Sequence, residues 1–181
     1  MKKIFIVFIC SGILLACNNS KTGADNTMTK SASGTKPQQA EFADAKYTDI
    51  GKQLMQKMES GDIDAWANSF ADNAVYSWSS GDSLTGKKAI LDYWKNRRTT
   101  VIDSIHFTND IWLPIKVNQP QKGPDVPGNW LLSWYQVNVK YKTGKRLGFW
   151  VHTDYHFDAN DKIDRAVQYI DMAPIKAATM K

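Results

Sequence analysis

Two histidines and one aspartate alternate in the last third of the chain, as His152, Asp154 and His156. On a β-strand, every second side chain lies on one face, with about 6 to 7 Å between successive members. Imidazole and carboxylate groups at that spacing could bind a metal ion or transfer protons. The intervening residues are mostly apolar, so the row also fits a solvent-exposed or dimer-facing surface. We take the surface as the default and expect no metal site.

Aromatic residues with a few polar groups among them form a second candidate site. Such a set is typical of a concave apolar site for a hydrophobic or flat ligand. The alternative is core packing in which the large side chains fill the space between the elements. The candidate ligand-pocket residues are Tyr76, Trp78, Trp94, Ser133, Tyr135, Thr153, Tyr155 and Gln168.

The stretch from Asn129 to Phe157 must position both sets. Leu131, Tyr135 and the other odd-numbered residues are mostly apolar, and the alternation resumes after Thr143-Gly144. Period-2 alternation on both sides of a Gly-containing turn predicts an antiparallel hairpin. A three-residue loop over 142–144, with Gly144 in the left-handed bulge position, pairs odd residues with odd residues. We prefer this register because it separates an apolar face from a polar one.

Three helices are predicted to cover the apolar face of this hairpin. Apolar residues recur at helical spacing from Phe42 to Met58, from Ile63 to Phe70, and from Lys87 to Arg97, where the cations are interpreted as a solvated face. Strands are predicted over 75–78 and 163–171, and over 102–117 as one long strand or as two that break near Asn109-Asp110. The Pro-rich stretch 118–128 must be a loop. The order helix, helix, strand, helix and four strands indicates an α+β fold, with the helices on one face of a curved antiparallel sheet.

Residues 1–16 are predicted to be a signal peptide, because two lysines precede an apolar run that is too short to span a bilayer. The run ends in Leu14-Leu15-Ala16-Cys17, which resembles the lipobox of bacterial lipoproteins. This resemblance implies a lipid on Cys17 that anchors the protein to a membrane of the bacterial cell envelope, with the outer membrane facing the periplasm favoured. The alternative is an ordinary cleaved signal followed by an incidental cysteine.

The polar stretch after the signal cannot bury enough apolar surface to fold, so residues 17–40 are expected to be the lipidated cysteine and a flexible tether. Residues 41–175 are expected to form one domain, and all seven tryptophans lie there. Cys10 and Cys17 are the two cysteines of the chain, so the domain has no thiol nucleophile or thiolate ligand. The net charge of +5 comes without long Lys or Arg runs. We therefore expect no nucleic-acid partner. We also expect no cofactor.

Short motifs spread over Tyr47 to Asp171 resemble the nuclear transport factor 2-like superfamily, which includes SnoaL-like proteins. This resemblance implies a conical α+β barrel with a deep pocket between the sheet and three N-terminal helices, commonly in a homodimer. The motifs are Ser60–Ala65, Phe70–Val75, Gly86–Ile90, Tyr155–Asp158 and Asp161–Ile163.

The resemblance also indicates which residues of this chain stand at the catalytic positions of ketosteroid isomerase, one enzyme of the superfamily. The hydrogen-bond donor, the base and the protonated acid of that enzyme correspond to Leu54, Trp78 and Thr153, and none of these residues can fill its role. The residue types that a second enzyme of this superfamily, limonene epoxide hydrolase, uses to activate water are present in this sequence, but their positions do not match the pattern of that enzyme. Asp171 resembles the acidic end of a cyclase motif, and Asp154, Asp171 and His152 are the catalytic candidates.

We therefore predict a lipid-anchored envelope protein that binds a small hydrophobic ligand or a partner without catalysis. The alternative is a SnoaL-like hydrolase, cyclase or isomerase that uses an acidic pocket residue. A third hypothesis is a purely structural dimer in which exposed Trp130, Trp134 and Trp150 bury one another.

Overall fold

The computed structural model describes residues 38–119 and 126–180, so the predicted signal peptide and Cys17 lie outside the described residues. A π-helical turn, Arg97–Val101, links the third helix to the fourth strand. The strands are β1 (Ala40–Phe42), β2 (Phe70–Trp78), β3 (Ser83–Thr85), β4 (Ile102–Val117), β5 (Gly128–Tyr141), β6 (Arg146–Phe157) and β7 (Ile163–Tyr169). The helices are α1 (Lys46–Ser60), α2 (Ile63–Ala67), α3 (Lys87–Asn96) and α4 (Met172–Thr179).

The seven strands form one curved, unclosed sheet in the order β1-β4-β5-β6-β7-β2-β3. The α+β fold class is confirmed, including the three helices that precede most of the sheet. One pairing was not expected: β2 and β7 run parallel, whereas the other neighbours are antiparallel. The parallel pair arises because β4 to β7 run antiparallel in succession and the last of them returns alongside β2.

The β5-β6 hairpin has the register that the alternation predicts. Tyr135 pairs with Val151, and Val139 pairs with Leu147. The loop over 142–144 ends at Gly144, whose φ of 87° is the left-handed conformation that such a loop requires. The odd-numbered residues of both strands form the inner face, under the helices, and the even-numbered residues form the outer face.

Helix α2 is shorter than the apolar spacing predicted. Asp62 caps it by accepting a hydrogen bond from the Ala65 amide at 3.0 Å, but it ends at Ala67. Phe70 begins β2 and pairs with Ile163 of β7. Pairing with a remote strand therefore overrides the i, i+7 relationship of Phe70 to Ile63.

Two elements at the ends of the domain were not predicted. Ala40, the last residue of the expected tether, begins β1, and Phe42 of this strand is 81% exposed rather than part of a helix. Asp171 ends no strand: it caps α4 by accepting a hydrogen bond from the Ala173 amide at 2.9 Å. Helix α4 tolerates Pro174 because the proline lies in its first turn, where the amide has no helical partner.

Helix α1 packs unusually close to the sheet at Gly51. A Cβ atom on Gly51 would lie 2.4 Å from Trp112 of β4 and 2.7 Å from Leu131 of β5. The missing side chain thus sets the distance between the helix and the inner face. Of the helices that the structure describes, none is long and apolar enough to cross a membrane.

Candidate functional site

A cavity of about 90 Å³ lies between the inner face of the sheet and the helices. Helices α1 and α3 contribute Leu54, Met55 and Trp94, and α4 contributes Met172 and Ile175. Six of the eight predicted pocket residues line this cavity, namely Tyr76, Trp78, Trp94, Tyr135, Tyr155 and Gln168. The structure therefore brings these six side chains together in one wall, and their role as a ligand site stays a prediction.

Ser133 and Thr153 do not line the cavity, which corrects two of the predicted positions. They pair across β5 and β6 and are fully buried. The Ser133 hydroxyl donates to the Thr153 carbonyl at 2.7 Å. Both residues are on the inner face as predicted. They are packed beneath the larger side chains that line the cavity, so their role in this wall is structural.

A small polar network crosses the floor of the cavity. The Tyr135 phenol and the Thr153 hydroxyl are 2.8 Å apart and share one hydrogen bond. The Trp78 indole donates to Gln168 Oε1 at 3.0 Å, and Gln168 Nε2 lies 3.4 Å from the Tyr135 phenol oxygen. The network consists of neutral groups, so it can orient a ligand by hydrogen bonds without carrying a charge.

The tyrosines in this wall are held in the protonated form. Burial raises the pKa of Tyr76 and of Tyr155 well above the ordinary value for a phenol, and nearby tyrosines add to both shifts. Burial also raises the pKa of Tyr135, although its hydrogen bonds to Thr153 and Gln168 oppose the shift. Each phenol can therefore donate a hydrogen bond but cannot serve as a base near neutral pH.

Trp94 provides a polar atom that nothing in the described residues satisfies. Its ring contacts the rings of Trp66 and Tyr76 edge to face, at centroid distances of 5.9 and 6.0 Å. Its indole nitrogen is buried and has no hydrogen-bond partner within the described parts of the chain. A buried donor without an acceptor is costly to the stability of the fold, and a ligand could reach this atom only after its neighbours move.

Arg97 also lines the cavity, which corrects the interpretation of Arg97 as part of a solvated helix face. It is the first residue of the π-helical turn and is half-buried. Its spacing from Ile90 and Trp94 is i+7 and i+3, which is the spacing of one helix face. That signal was available in the sequence and could have found it.

The catalytic candidates lie elsewhere. His152 and Asp154 are on the outer face, where the His152 ring stacks between Trp134 and Tyr169 at 4.5 and 5.3 Å. His152 Nε2 and Asp154 Oδ1 are 2.9 Å apart in an ion-pair contact. Burial raises the pKa of Asp154, and the charge of His152 opposes that shift. Asp171 caps α4. The three candidates are therefore not brought together in the cavity.

His156, the third member of the polar row, is buried in the outer face. Its Nδ1 lies 2.5 Å from Asp164 Oδ1, and its Nε2 lies 3.1 Å from the Pro127 carbonyl oxygen. Trp130 packs against the same ring at 4.9 Å and is itself buried, so the expected exposure of Trp130 is wrong. The row has a structural role at this end, because it holds the start of β5 against β7.

Metal ligands do not converge in the part of the molecule that is described. Within residues 38–119 and 126–180, no group of three or more His, Cys, Asp or Glu side chains could hold a metal ion. The lining residues of the cavity in these same ranges include no Asp, Glu or His. The three positions that correspond to ketosteroid isomerase, Leu54, Trp78 and Thr153, do lie in or directly behind the wall, and all lack an acidic group.

A curved, unclosed sheet with helices on one face and a small apolar cavity beneath them is typical of cone-shaped α+β folds. Residues 52–166 match the family model described as SnoaL-like domain, which covers more than half of the chain. The protein belongs to this SnoaL-like family, within the nuclear transport factor 2-like fold. No curated protein matches the sequence.

Solved structures share the fold at low sequence identity. A protein from Bacillus subtilis provisionally named an isomerase is 20% identical, with a TM-score of 0.57 over 72% of this chain and 90% of that one. A provisionally named polyketide cyclase from Xanthomonas campestris is 13% identical, with a TM-score of 0.58 over 74% and 96%. SalBIII, an epoxide hydrolase/cyclase-like enzyme in pyran ring formation, is 18% identical, with a TM-score of 0.53 over 70% and 92%.

Proposed function

We propose that this domain binds a small, largely apolar ligand in the cavity under its helices and does not transform it. The observation that carries the proposal is the character of the wall. Aromatic and aliphatic side chains surround a few neutral hydrogen-bonding groups, and no described lining residue is an Asp, Glu or His. Such a surface binds by burial and shape, with specificity from sparse polar contacts.

The size of the cavity limits the ligand. Pockets for drug-sized ligands typically measure roughly 300 to 1,000 Å³, whereas this cavity measures about 90 Å³. The large side chains fill much of the space, as the core-packing alternative anticipated. The ligand is therefore a compact molecule, of the size of one substituted ring, and a larger one requires a wall side chain to move.

The alternative is a SnoaL-like hydrolase, cyclase or isomerase. The names of similar structures favour it, since they include polyketide cyclases and an epoxide hydrolase/cyclase-like enzyme. Acid-base chemistry on a ligand in the cavity requires a group that can exchange a proton there. Asp154, Asp171 and His152 lie outside the cavity, and the buried phenols of Tyr76, Tyr135 and Tyr155 stay protonated. Binding without turnover is the simpler account of this wall.

A screen with a matched pair of blocking variants tests the binding proposal. Compact aromatic and alicyclic compounds are screened against the purified domain by thermal shift, and hits are measured by calorimetry. Ile170→Trp adds bulk to a partly exposed lining position and should abolish binding. Val167→Trp adds the same bulk on the other face of the same chain segment and should not. Turnover of an epoxide or polyketide substrate that depends on Asp154 or Asp171 would favour the enzyme instead.

We also propose that Cys17 carries a lipid that anchors the domain at the bacterial outer membrane, facing the periplasm. The support is the sequence alone, in which Leu14-Leu15-Ala16 precedes Cys17 after an apolar run. Two or three acyl chains on one residue would give stable anchoring. Metabolic labelling with a clickable fatty acid in a bacterial host should mark the full chain but not Cys17→Ala, and fractionation should place the labelled protein with the outer membrane.

A homodimer is the further assembly that we propose. Ile111, Trp150 and Tyr169 are respectively 55%, 54% and 42% exposed, and all three lie on strands of the sheet. Large apolar side chains at this exposure favour association with a second copy. The third hypothesis, in which three tryptophans bury one another, loses Trp130 because that residue is already buried.

A further inference from the structure

We propose that the ligand carries a single carboxylate, and that the guanidinium of Arg97 binds this group where the cavity meets solvent. This inference rests on the proposed binding function and adds the chemical class of the ligand, a compact apolar monocarboxylic acid. It follows from the charge on the cavity wall, the contacts of Arg97 and the local backbone that positions it.

Arg97 differs from the cations around it. Within the described residues, no carboxylate oxygen lies within 4.0 Å of its guanidinium, whose carbon sits 5.7 Å from the centroid of the Tyr93 ring. The neighbouring cations are satisfied: Lys87 pairs with Asp72, Lys88 with Asp92 and Lys95 with Asp64, and Arg98 bonds the carbonyls of Met58 and Glu59. The cation that lines the cavity is thus the one left for an external acceptor.

The backbone at Arg97 explains its position. Helix α3 ends at Asn96, and the chain widens into a π-helical turn over Arg97–Val101 before β4. A π turn adds a residue to the helical repeat and redirects the side chains near it, and such turns are frequent at functional sites. Arg97 thereby stays on the face of Trp94 while its guanidinium remains half exposed. This is a suitable position for a charged ligand group that keeps part of its hydration.

Tyr141 lines the same cavity as Arg97, and the positive charge of Arg97 acts to lower the pKa of its phenol. Burial is the larger influence and raises the pKa of Tyr141, so the phenol keeps its proton at neutral pH. The cavity wall thus offers donors of two kinds, a guanidinium and a protonated phenol, and a carboxylate has two oxygens that can accept hydrogen bonds.

The charge pattern selects a monoanion. Among the described residues that line the cavity, Arg97 is the one formally charged side chain. A neutral ligand leaves this half-buried cation without an acceptor, and a cationic ligand is repelled by it. A dianion would place one charge without a partner beside an apolar wall, which is unfavourable. A carboxylate matches both the charge and the planar fork of the guanidinium.

The test compares an acid with its uncharged isostere on the purified domain. Binding of 3-phenylpropionate and 3-phenylpropionamide is measured by calorimetry at low salt. Hydrogen bonds to charged groups contribute about 1.5 to 3 kcal/mol, which corresponds to roughly ten- to hundredfold in affinity. We expect the acid to bind at least about tenfold more tightly than the amide. Arg97→Gln should remove this difference, whereas Arg146→Gln, an exposed arginine that does not line the cavity, should keep it.

The outcomes separate the two proposals. Equal affinity of acid and amide, with both blocked by Ile170→Trp, would overturn the carboxylate inference and leave the binding function in place. Failure of both probes and of the compound screen would overturn the binding function as well. If Arg97→Gln does not fold, Arg97→Lys retains the positive charge and loses the planar fork, so a reduced but measurable preference for the acid is expected. An unchanged preference in Arg97→Gln would also contradict the inference.

Discussion

The phenol of Tyr135 and the hydroxyl of Thr153 lie 2.8 Å apart on the inner faces of two neighbouring strands, although both side chains are buried. Their strands are paired so that Thr153 faces Ser133, two residues before Tyr135. The hydrogen bond therefore runs diagonally across the hairpin. It connects the floor of the cavity to the strand pairing that the hairpin turn sets. Gln168 of β7 extends the same network to Trp78 of β2.

Replacing Thr153 by Val should destabilise the domain with little change in shape. The methyl group fills the place of the hydroxyl, but the Tyr135 phenol loses its 2.8 Å partner and keeps the 3.4 Å contact with Gln168 and the hydrogen bond with Tyr155. A typical intramolecular hydrogen bond contributes about 0.5 to 1.5 kcal/mol to stability. Urea denaturation should show a lower midpoint at constant slope. Thr108→Val removes an exposed hydroxyl that accepts from Asn138, and it should change the free energy of unfolding by less than about 0.5 kcal/mol.

The hairpin and its faces were predictable because their signal is local. Alternation over Asn129 to Phe157 and one glycine at the turn specify which residues pair and which face they share. Once the odd-numbered residues were placed inward, the positions of Tyr135 and Tyr155 in the cavity wall followed. A shift by one residue would have exposed both, so the burial of the inner face and the turn geometry support the same register.

The elements that were missed depend on partners far away in the chain. Three-residue β1 has no periodicity to detect and exists because it pairs with the end of β4. Helix α4 is held by the hairpin loop, where the Thr143 hydroxyl and the Lys145 ammonium donate to carbonyls of its last turn, both at 2.8 Å. Arg97 was missed for a different reason, because its spacing from Ile90 and Trp94 was present in the sequence but the residue was interpreted as part of a solvated cationic face. Local patterns therefore found the scaffold of the site, and the charged group was missed by interpretation.

Replacing Gly51 by Ala should destabilise the domain although it favours the helix. Alanine in a helix interior gains about 1 kcal/mol over glycine. Here its Cβ would lie 2.4 Å from Trp112 Cζ3 and 2.7 Å from Leu131 Cδ2, distances at which something must shift. Overpacking a core typically costs about 1 to 3 kcal/mol, so we expect a net loss of stability.

The control for Gly51→Ala lies two residues further along α1. Gln53→Ala changes an exposed position of the same helix and should leave the unfolding midpoint nearly unchanged. Because Gly51 lines the cavity, calorimetry on Gly51→Ala should also show weaker binding of any compound that the wild-type domain binds. A stabilised Gly51→Ala domain would mean that α1 moves away from the sheet at little cost.

Asp154 should make stability decrease as the pH rises. Burial raises its pKa in the folded state above the ordinary value of 3.8, against the smaller effect of His152. The folded state then binds the proton more tightly than the unfolded state, so this group favours folding at low pH. The contribution is lost as the pH rises from the unfolded pKa through the raised, folded one. Asp154→Asn removes the charge and should be more stable than the wild type at pH 7, with the difference shrinking toward pH 4.

An aspartate with the opposite shift provides the comparison. The hydrogen bond and charge of Lys87 lower the pKa of exposed Asp72, so Asp72→Asn should lose a small stabilisation at neutral pH rather than gain one. Melting temperatures of the wild type, Asp154→Asn and Asp72→Asn, measured from pH 4 to pH 8, should show opposite effects of the two substitutions on stability. If Asp154→Asn is less stable than the wild type at pH 7, then its contact with His152 outweighs the cost of burying its charge.

Replacing Trp150 by Lys should weaken self-association if the outer face is the dimer interface. Trp150 is 54% exposed on β6, and Ile111 and Tyr169 on other strands are similarly exposed. A lysine at this position would place a charge where a second copy must exclude water, which is unfavourable in an apolar interface. Light scattering after size exclusion should then show the wild-type domain as a dimer and Trp150→Lys as a monomer at the same concentration. Gln53→Lys adds the same charge on α1, away from the sheet, and should leave the mass unchanged. A dimeric Trp150→Lys would place the interface on another surface, and the exposed aromatics would then need a different partner.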